Sequence, residues 1–331
     1  MLTIGNMQWP DFPLVLSPMD DITDKPFRSL CRHLGADVTV TEFIAAEALV
    51  RDAEKSLRKL LFDEETRPVG IQIFGANEEE LLRCVDIVKE HHPDFIDINW
   101  GCPVRKVAGR GAGSGMLLTP DKLVAITAAL VRRAEPYPLT VKTRLGYDAN
   151  NKPICELAER LQDIGIAALA IHGRTKTQMY TGQADWTLIG RVKENPRMRI
   201  PVFGNGDITH PSEPAEMQRR YGVDGVLIGR AAIGNPWIFE QSRAVLNGHK
   251  PRTIMVSERC EVCKRHLQEA IHFKGERVAV LEMRKHYSGY FRALHNFKPF
   301  RQQLVTLTTA DEVMQLLDSI ALHYEEHSSI V

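Results

Sequence analysis

Cys102 lies in the stretch DFIDINWGCPVRKVAGRGAGSG (94–115), between Gly101 and Pro103, where an apolar run ends. A cysteine that only fills a core needs neither a turn before it nor a glycine-rich segment after it. A thiol that does chemistry can use both. Gly101 and Pro103 turn the side chain out of the run, and Gly109, Gly111, Gly113 and Gly115, with the basic Arg110 between the first two, predict a loose loop beside it. With an ordinary pKa of about 8.5, such a thiol is mostly neutral near pH 7 and can act as a proton donor.

Other polar residues end apolar runs in the same way: Pro18-Met19, Glu42, Gln72, Asn99, Lys142 with Arg144, His172 with Arg174, Asn205 with Asp207, and Gly229-Arg230. Any one of these can cap a helix or satisfy a loop. Together they predict one functional mouth. The stretches GNGDI (204–208) and IGRAAIGNP (228–236) add a phosphate signal, because their glycines let backbone amides approach an anion and a following helix can present its N-terminus to it.

The elements that must position these residues are short Val- and Ile-rich runs: 14–19, 38–43, 69–75, 95–101, 139–146, 168–174, 200–207 and 225–230. They do not alternate, as expected of strands buried on both faces of a parallel sheet. Helix signals separate them. Thr119-Pro120 offers an N-cap and a first-turn proline, and Asn77 precedes three glutamates. Eight such units predict an α/β fold, a (β/α)8 TIM barrel, whose chemistry sits at the C-terminal strand ends. A doubly wound open sheet is the alternative. The Asn-Gly and Pro of LNGHKPR (246–252) mark a linker, after which no strand-like run occurs and Thr309 with Glu312 forms a capping box. The expected organisation is therefore a barrel over 1–245 and a small all-helical domain over 246–331.

Composition excludes other classes. The 331 residues are 44% apolar and 25% charged, as in a globular protein with a real core. No apolar run is long enough to span a bilayer, and MLTIGNMQWPDFP lacks the layout of a secretion signal. Six scattered cysteines read as reduced thiols, so a cytoplasmic location is expected. Cys260 and Cys263 form a lone C-x-x-C in helical sequence and, like Cys31, Cys84 and Cys155, read as packing; no metal is expected. Lys plus Arg equals Asp plus Glu at 42 each, so only the distribution of charge can indicate a nucleic acid. From Met283 to Ala310 there is no acid, whereas Arg284, Lys285, Arg292, Lys298 and Arg301 alternate with Tyr287, Tyr290, Phe291, Phe297 and Phe300. This mixture suits RNA phosphates and stacked bases; a core-facing aromatic stripe with a solvated basic back is the competing reading.

The stretches SPMDDITDKPFR (17–28), IQIFG (71–75), DINWGCPVRKVAGRGAGSGMLL (97–118), VKTRLGYD (141–148), IHGRTKTQMYTGQADW (171–186), VLIGRAAIGNPWIF (226–239) and MRKHYSGY (283–290) resemble the bacterial tRNA-dihydrouridine synthase family. The resemblance covers the barrel almost end to end and reaches into the tail. One departure stands out: the family's usual Ala-Pro-Met-Ala-Gly is Ser17-Pro18-Met19-Asp20-Asp21 here, which would place two acids beside the flavin site that the resemblance implies.

The resemblance implies an FMN-binding barrel with a helical C-terminal domain, NADPH or NADH as reductant and tRNA as substrate. Pro18, Met19 and Asp20 would line the flavin, Gln72 would bond its edge, and Lys142 would stand near N1–O2. His172 would face the flavin or the uracil. Asn205, Gly206, Asp207, Gly229 and Arg230 would hold ribityl and phosphate. Asn99, Arg174, Arg284, Lys285 and Arg292 would meet the RNA. Hydride would pass to C6 of a uracil in the D-loop, and Cys102 would protonate C5. No protein partner is expected, and the chain is read as a monomer. Two other readings fit parts of the sequence: a flavin oxidoreductase acting on a free small molecule, like the dihydroorotate dehydrogenases, and a non-catalytic RNA-binding barrel.

Overall fold

The structure is a computed structural model and describes residues 1–328. It opens with an antiparallel hairpin, β1 (Leu2–Ile4) and β2 (Met7–Trp9), joined by Gly5-Asn6. Then follow β3 (Leu14–Leu16), β4 (Val38–Val40), the two-residue β5 (Ile44–Ala45), β6 (Val69–Phe74), β7 (Phe95–Asn99), β8 (Leu139–Arg144), β9 (Ala168–His172), β10 (Val202–Asn205) and β11 (Gly225–Ile228). Each strand pairs in parallel with its neighbours in the order β4-β3-β11-β10-β9-β8-β7-β6, and β4 pairs with β6. That last pairing closes the ring, so the barrel is formed and the open sheet is excluded. β5 extends the pairing at the upper end of β6.

The runs are continuously apolar because the strands bury both faces. Ile96 and Ile98 of β7 join the layer between sheet and helices, whereas Phe95 belongs to the interior cluster. The hairpin, unforeseen from sequence, closes the barrel at the end opposite the polar strand ends. Ile4 and Trp9 are buried with Val15, Val38, Phe95, Phe203 and Leu227, and the Trp9 ring lies 5.4 Å from Phe95 and 5.9 Å from Phe203. The Gly-Asn dipeptide between Leu2-Thr3-Ile4 and Met7-Gln8-Trp9 is its hairpin signal.

The helix signals hold with one exception. Asn77 accepts from the Glu80 N–H, and Thr309 and Glu312 bond reciprocally as a capping box. Thr119 precedes the helix Pro120–Ala134, but its hydroxyl bonds back to Met116 and does not cap the helix. Beyond the helix Ile238–Leu246 and the irregular stretch 247–255, the described residues form the helices Val256–Lys274, Glu276–Tyr290, Lys298–Leu304 and Ala310–Ser328.

This helical part is pressed on the barrel. The Phe27 ring lies 5.4 Å from His266 and 4.9 Å from His286. Lys274 joins Asp24 of the barrel to Glu282. The closest approach is between main chains. A Cβ on Gly289 would stand 1.9 Å from the Ile233 carbonyl oxygen, and one on Gly234 (φ +63°) 2.0 Å from that of His286. Only glycine fits either position.

Replacing Trp9 with alanine removes the plug of the closed barrel end. We expect a loss of about 3–5 kcal/mol, the usual cost of deleting a buried tryptophan, read as a lower urea midpoint. Residues at the other mouth should keep their places in the folded variant.

Candidate active site

The C-terminal strand ends surround a cavity of about 650 Å³, within the range of cofactor sites. Pro18, Met19, Asp20, Asn99, Cys102, Lys142, His172, Asn205, Gly206, Asp207, Gly229 and Arg230 all line it, as does Arg292 from the helical part. Gln72 does not reach the cavity. It is fully buried, and both ends of its amide are engaged, by Asp97 at 2.6 Å and by Asn99 at 2.8 Å.

Cys102 is 5% exposed. Its N–H and that of Gly101 donate to Asn99 Oδ1 at 2.9 and 2.8 Å, and its carbonyl accepts from both the N–H and the hydroxyl of Ser114. Arg144 Nε holds the Gly101 carbonyl at 2.7 Å. The expected loose loop is thus a packed one, with a short helix Arg105–Ala108 and a 3-10 helix Gly113–Leu118. A Cβ on Gly115 would lie 2.3 Å from the Ala108 carbonyl oxygen, so this glycine serves close packing. Burial pushes the Cys102 thiol above its ordinary pKa, although the Val104 N–H, Arg144 and Lys142 pull the other way. The group is a neutral acid at pH 7.

Lys142 donates to Asn205 Oδ1 at 3.2 Å, and Asn205 is turned by its own bond to the Leu227 carbonyl. Burial, helped by Arg144, lowers the Lys142 pKa to about 8. His172 is neutral because burial and the nearby cations Lys142, Arg144, Arg174 and Arg230 all oppose its protonation.

Arg174 is 1% exposed and forms a bidentate pair with Asp207, at 2.9 and 2.7 Å. Asp207 also accepts from the Ala184 N–H at 2.7 Å and from Arg230 at 3.0 Å. Burial alone would raise the Asp207 pKa, but these donors outweigh it and hold the carboxyl below its usual range. Asp207 therefore aims Arg230, while Arg174 is consumed in the wall. The expected helix N-terminus after the last strand is only the three-residue turn Arg230–Ala232.

The two acids that depart from the family pattern are met by cations. Lys59 pairs with Asp20 and lies 3.5 Å from Glu42, and Lys55 pairs with Asp21 at 3.1 Å. Lys285 donates to the Asp21 carbonyl at 2.7 Å. Among the tail cations, Arg292 reaches the rim and Lys285 the lip beside it, whereas Arg284 is half-buried and turned to the Leu307 carbonyl. Tyr287, Tyr290, Phe291 and Phe297 are buried. The aromatic stripe is thus the core of the helical part, not a stacking surface. Two aromatics without an assigned role line the cavity, Phe43 and Tyr180; Tyr180, 52% exposed, lies between the guanidinium groups of Arg144 and Arg230, 5.7 and 5.4 Å from its ring centre. The only signal for it was its place in HGRTKTQMY (172–180).

Removing the Asp207 carboxylate (Asp207→Ala) should leave Arg174 buried without a counter-charge. We expect a loss of about 2–4 kcal/mol, near the lower end for broken buried pairs because Asp207 is one-third exposed. Urea unfolding at pH 7 reads it, and an unchanged midpoint would show that the pair does not hold the wall.

Comparison with known proteins agrees with this geometry. The family model described as Dihydrouridine synthase (Dus) matches residues 15–325. The tRNA-dihydrouridine synthase B of Pseudomonas aeruginosa is 38% identical over 299 residues, covering 90% of this chain and 89% of that protein. The protein of the same name from Vibrio cholerae is 34% identical over 318 residues, covering 96% and 98%. Among solved structures, morphinone reductase superposes with a TM-score of 0.53 at 12% identity over 76% of this chain and 90% of that one, which shows a shared barrel fold. With a Dus match over nearly its whole length and relatives above 30% identity, the chain belongs to the dihydrouridine synthase family.

Proposed function

We propose that this protein reduces a uridine of tRNA, in the D-loop, to 5,6-dihydrouridine, using FMN and a nicotinamide reductant, NADPH or NADH. The observation that carries the reading is Cys102: a neutral, backbone-pinned thiol on the wall of a cavity that also presents Lys142, Arg144 and Arg230, and whose carboxylates Asp20 and Asp207 are each paired with a cation. The cavity suits FMN in chemistry as well as size. Pro18, Met19, Ile208 and Leu227 offer apolar surface for a ring, and Lys142 and Arg230 offer cations.

FMN, when bound and reduced, supplies hydride for C6 of the uracil. The chain's own residues do the rest. Cys102 keeps its proton on Sγ until C5 develops negative charge, and then donates it. Lys142 would offer positive charge to a reduced flavin held in this cavity. Arg230, aimed by Asp207, and the backbone at Gly206 and Gly229 take the phosphate. Neutral His172 can offer a hydrogen bond without competing as an acid. Asn99 is already held by Gln72 and the Cys102 turn, so its support is chiefly indirect.

In this reading residues 1–245 are the catalytic barrel and 246–331 the part that grips tRNA, with Arg292 and Lys285 nearest the mouth. The protein works as a cytoplasmic monomer. Among the described residues no helix is long and apolar enough to cross a membrane, in keeping with that placement. A free small-molecule substrate is the less favoured reading, because a second structural unit contributes Arg292 to the cavity rim.

Cys102→Ala should leave fold, FMN content and flavin reduction by NADPH intact, and slow transfer from pre-reduced enzyme to unmodified tRNA by about 10²–10⁴-fold. Cys102→Ser, a far weaker acid, should recover little. A wild-type transfer rate in the alanine variant would remove the acid role. Mass spectrometry of tRNA from a deletion strain would identify the missing dihydrouridine and its position.

Lys142 predicts a pH dependence. Its pKa in the free site is about 8, and a ligand that prefers the charged ammonium raises it. Binding therefore takes up a proton above that pH, and FMN affinity should fall by about tenfold per pH unit between pH 8.5 and 9.5. Titration with FMN should show this slope in wild type and lose it in Lys142→Met.

A further inference from the structure

The turn that carries Cys102 is held by a chain of polar contacts that begins inside the barrel. Gln72, Asp97 and Thr140 are register partners on β6, β7 and β8, and Asn99 lies two residues beyond Asp97 on the same face of β7. All four are buried, with Gln72 fully so. Thr140 donates to Asp97 Oδ1 at 2.5 Å and Gln72 Nε2 to Asp97 Oδ2 at 2.6 Å. Asn99 Nδ2 donates to Gln72 Oε1 at 2.8 Å, and Asn99 Oδ1 receives the Gly101 and Cys102 N–H groups.

The direction of this chain follows from chemistry. The two backbone N–H groups can only donate, so Asn99 must turn its oxygen to them and its NH2 to Gln72. Gln72 must then offer its oxygen to Asn99 and its own NH2 inward, where an acceptor is required. Asp97 is that acceptor. With an apolar group in its place, Gln72 Nε2 loses its acceptor, and a flip of Gln72 is opposed from the Asn99 end alone. The flip would turn Asn99 as well and set its NH2 against the two N–H groups, donor facing donor.

We propose that Asp97 is a positioning residue for Cys102, fixing the polarity of the Gln72 and Asn99 amides and through them the turn that presents the thiol. Asp97 touches neither the cavity-facing thiol nor the reacting atoms; it acts through two amides. The proposal rests on the reading of Cys102 as proton donor for its kinetic consequence, and on geometry alone for its structural one.

Asp97→Leu tests it by two routes. Losing two net hydrogen bonds at the turn should speed alkylation of Cys102 by iodoacetamide, followed by site-resolved mass spectrometry of the purified protein, by about ten- to thirtyfold. Rapid mixing of pre-reduced enzyme with unmodified tRNA should show transfer slowed by at least about tenfold. In a Cys102→Ala background the same change should add less than about twofold, because its route is already gone. Asp97 also bears on Lys142, and an effect through that lysine would persist in the alanine background. Equal slowing in both backgrounds, or unchanged alkylation, overturns the proposal. A wild-type rate in Cys102→Ala alone would instead overturn the acid reading and leave alkylation to decide the positioning.

If Asp97→Leu does not fold, a near-isosteric pair replaces it. Asp97→Asn can turn its NH2 to Thr140 and keep an oxygen for Gln72, and Thr140→Val leaves Asp97 in place, so each alone should stay within about threefold of wild type in alkylation. Together they remove what fixes the polarity, and alkylation should rise by at least about tenfold. Additive effects of the two changes would overturn the proposal.

Discussion

Burying the Arg174 guanidinium is the constraint on which the mouth of this barrel depends. A cation so deep in the wall is tolerated only with a fixed counter-charge and its remaining donors satisfied. Asp207 supplies the charge bidentately, and the Thr181 carbonyl accepts from Nε at 3.1 Å. One ion pair thereby ties the segment after β9 to the end of β10. Because Asp207 has a further lone pair, it also draws in Arg230 from the end of β11. Three strand ends are coupled by one carboxylate. Burial and the cations around it keep His172 neutral, and the protonated thiol of Cys102 stands on the same wall.

Much of this was legible in the sequence, for identifiable reasons. Parallel strands buried on both faces leave continuous Val- and Ile-rich runs, and such runs marked all eight barrel strands. Their polar terminal residues converge because a closed barrel allows one mouth, so Cys102, Lys142, His172, Asn205 and Arg230 lie together as expected. The β1–β2 hairpin escaped because each strand has three residues, too few for periodicity to register. Gln72 was read as a cavity residue since it stands near a strand end, but the strand runs on to Phe74 and the side chain points into a lower layer. Sequence position cannot reveal that two amides and a carboxylate are mutually satisfied.

The tail shows the same limit. Aromatic residues interleaved with cations fit a stacking surface or a packed core equally well, because helical spacing separates faces only when the axis of the helix is known. Tyr287 and Tyr290 turn inward, Lys285 and Arg292 outward, and Arg284 falls between helices. The glycines after Cys102 misled in the opposite direction. A run of glycine permits mobility, but it also permits backbone to lie on backbone, and Gly115 is used in the second way.

The contact between Gly234 and Gly289 makes the two halves of the molecule a gauge. Main chain rests on main chain there, so no rotamer change can open the joint and no larger side chain can be accommodated without parting it. The separation between the cations on the helical rim and the thiol at the cavity wall is thus set by the backbone. For the proposed RNA substrate, the protein cannot reach inward to meet a nucleotide of different depth. The polynucleotide has to do the deforming, and the free energy of extruding its base falls on the strand itself. Uridines that are already unstacked are then preferred before any base-specific contact is made.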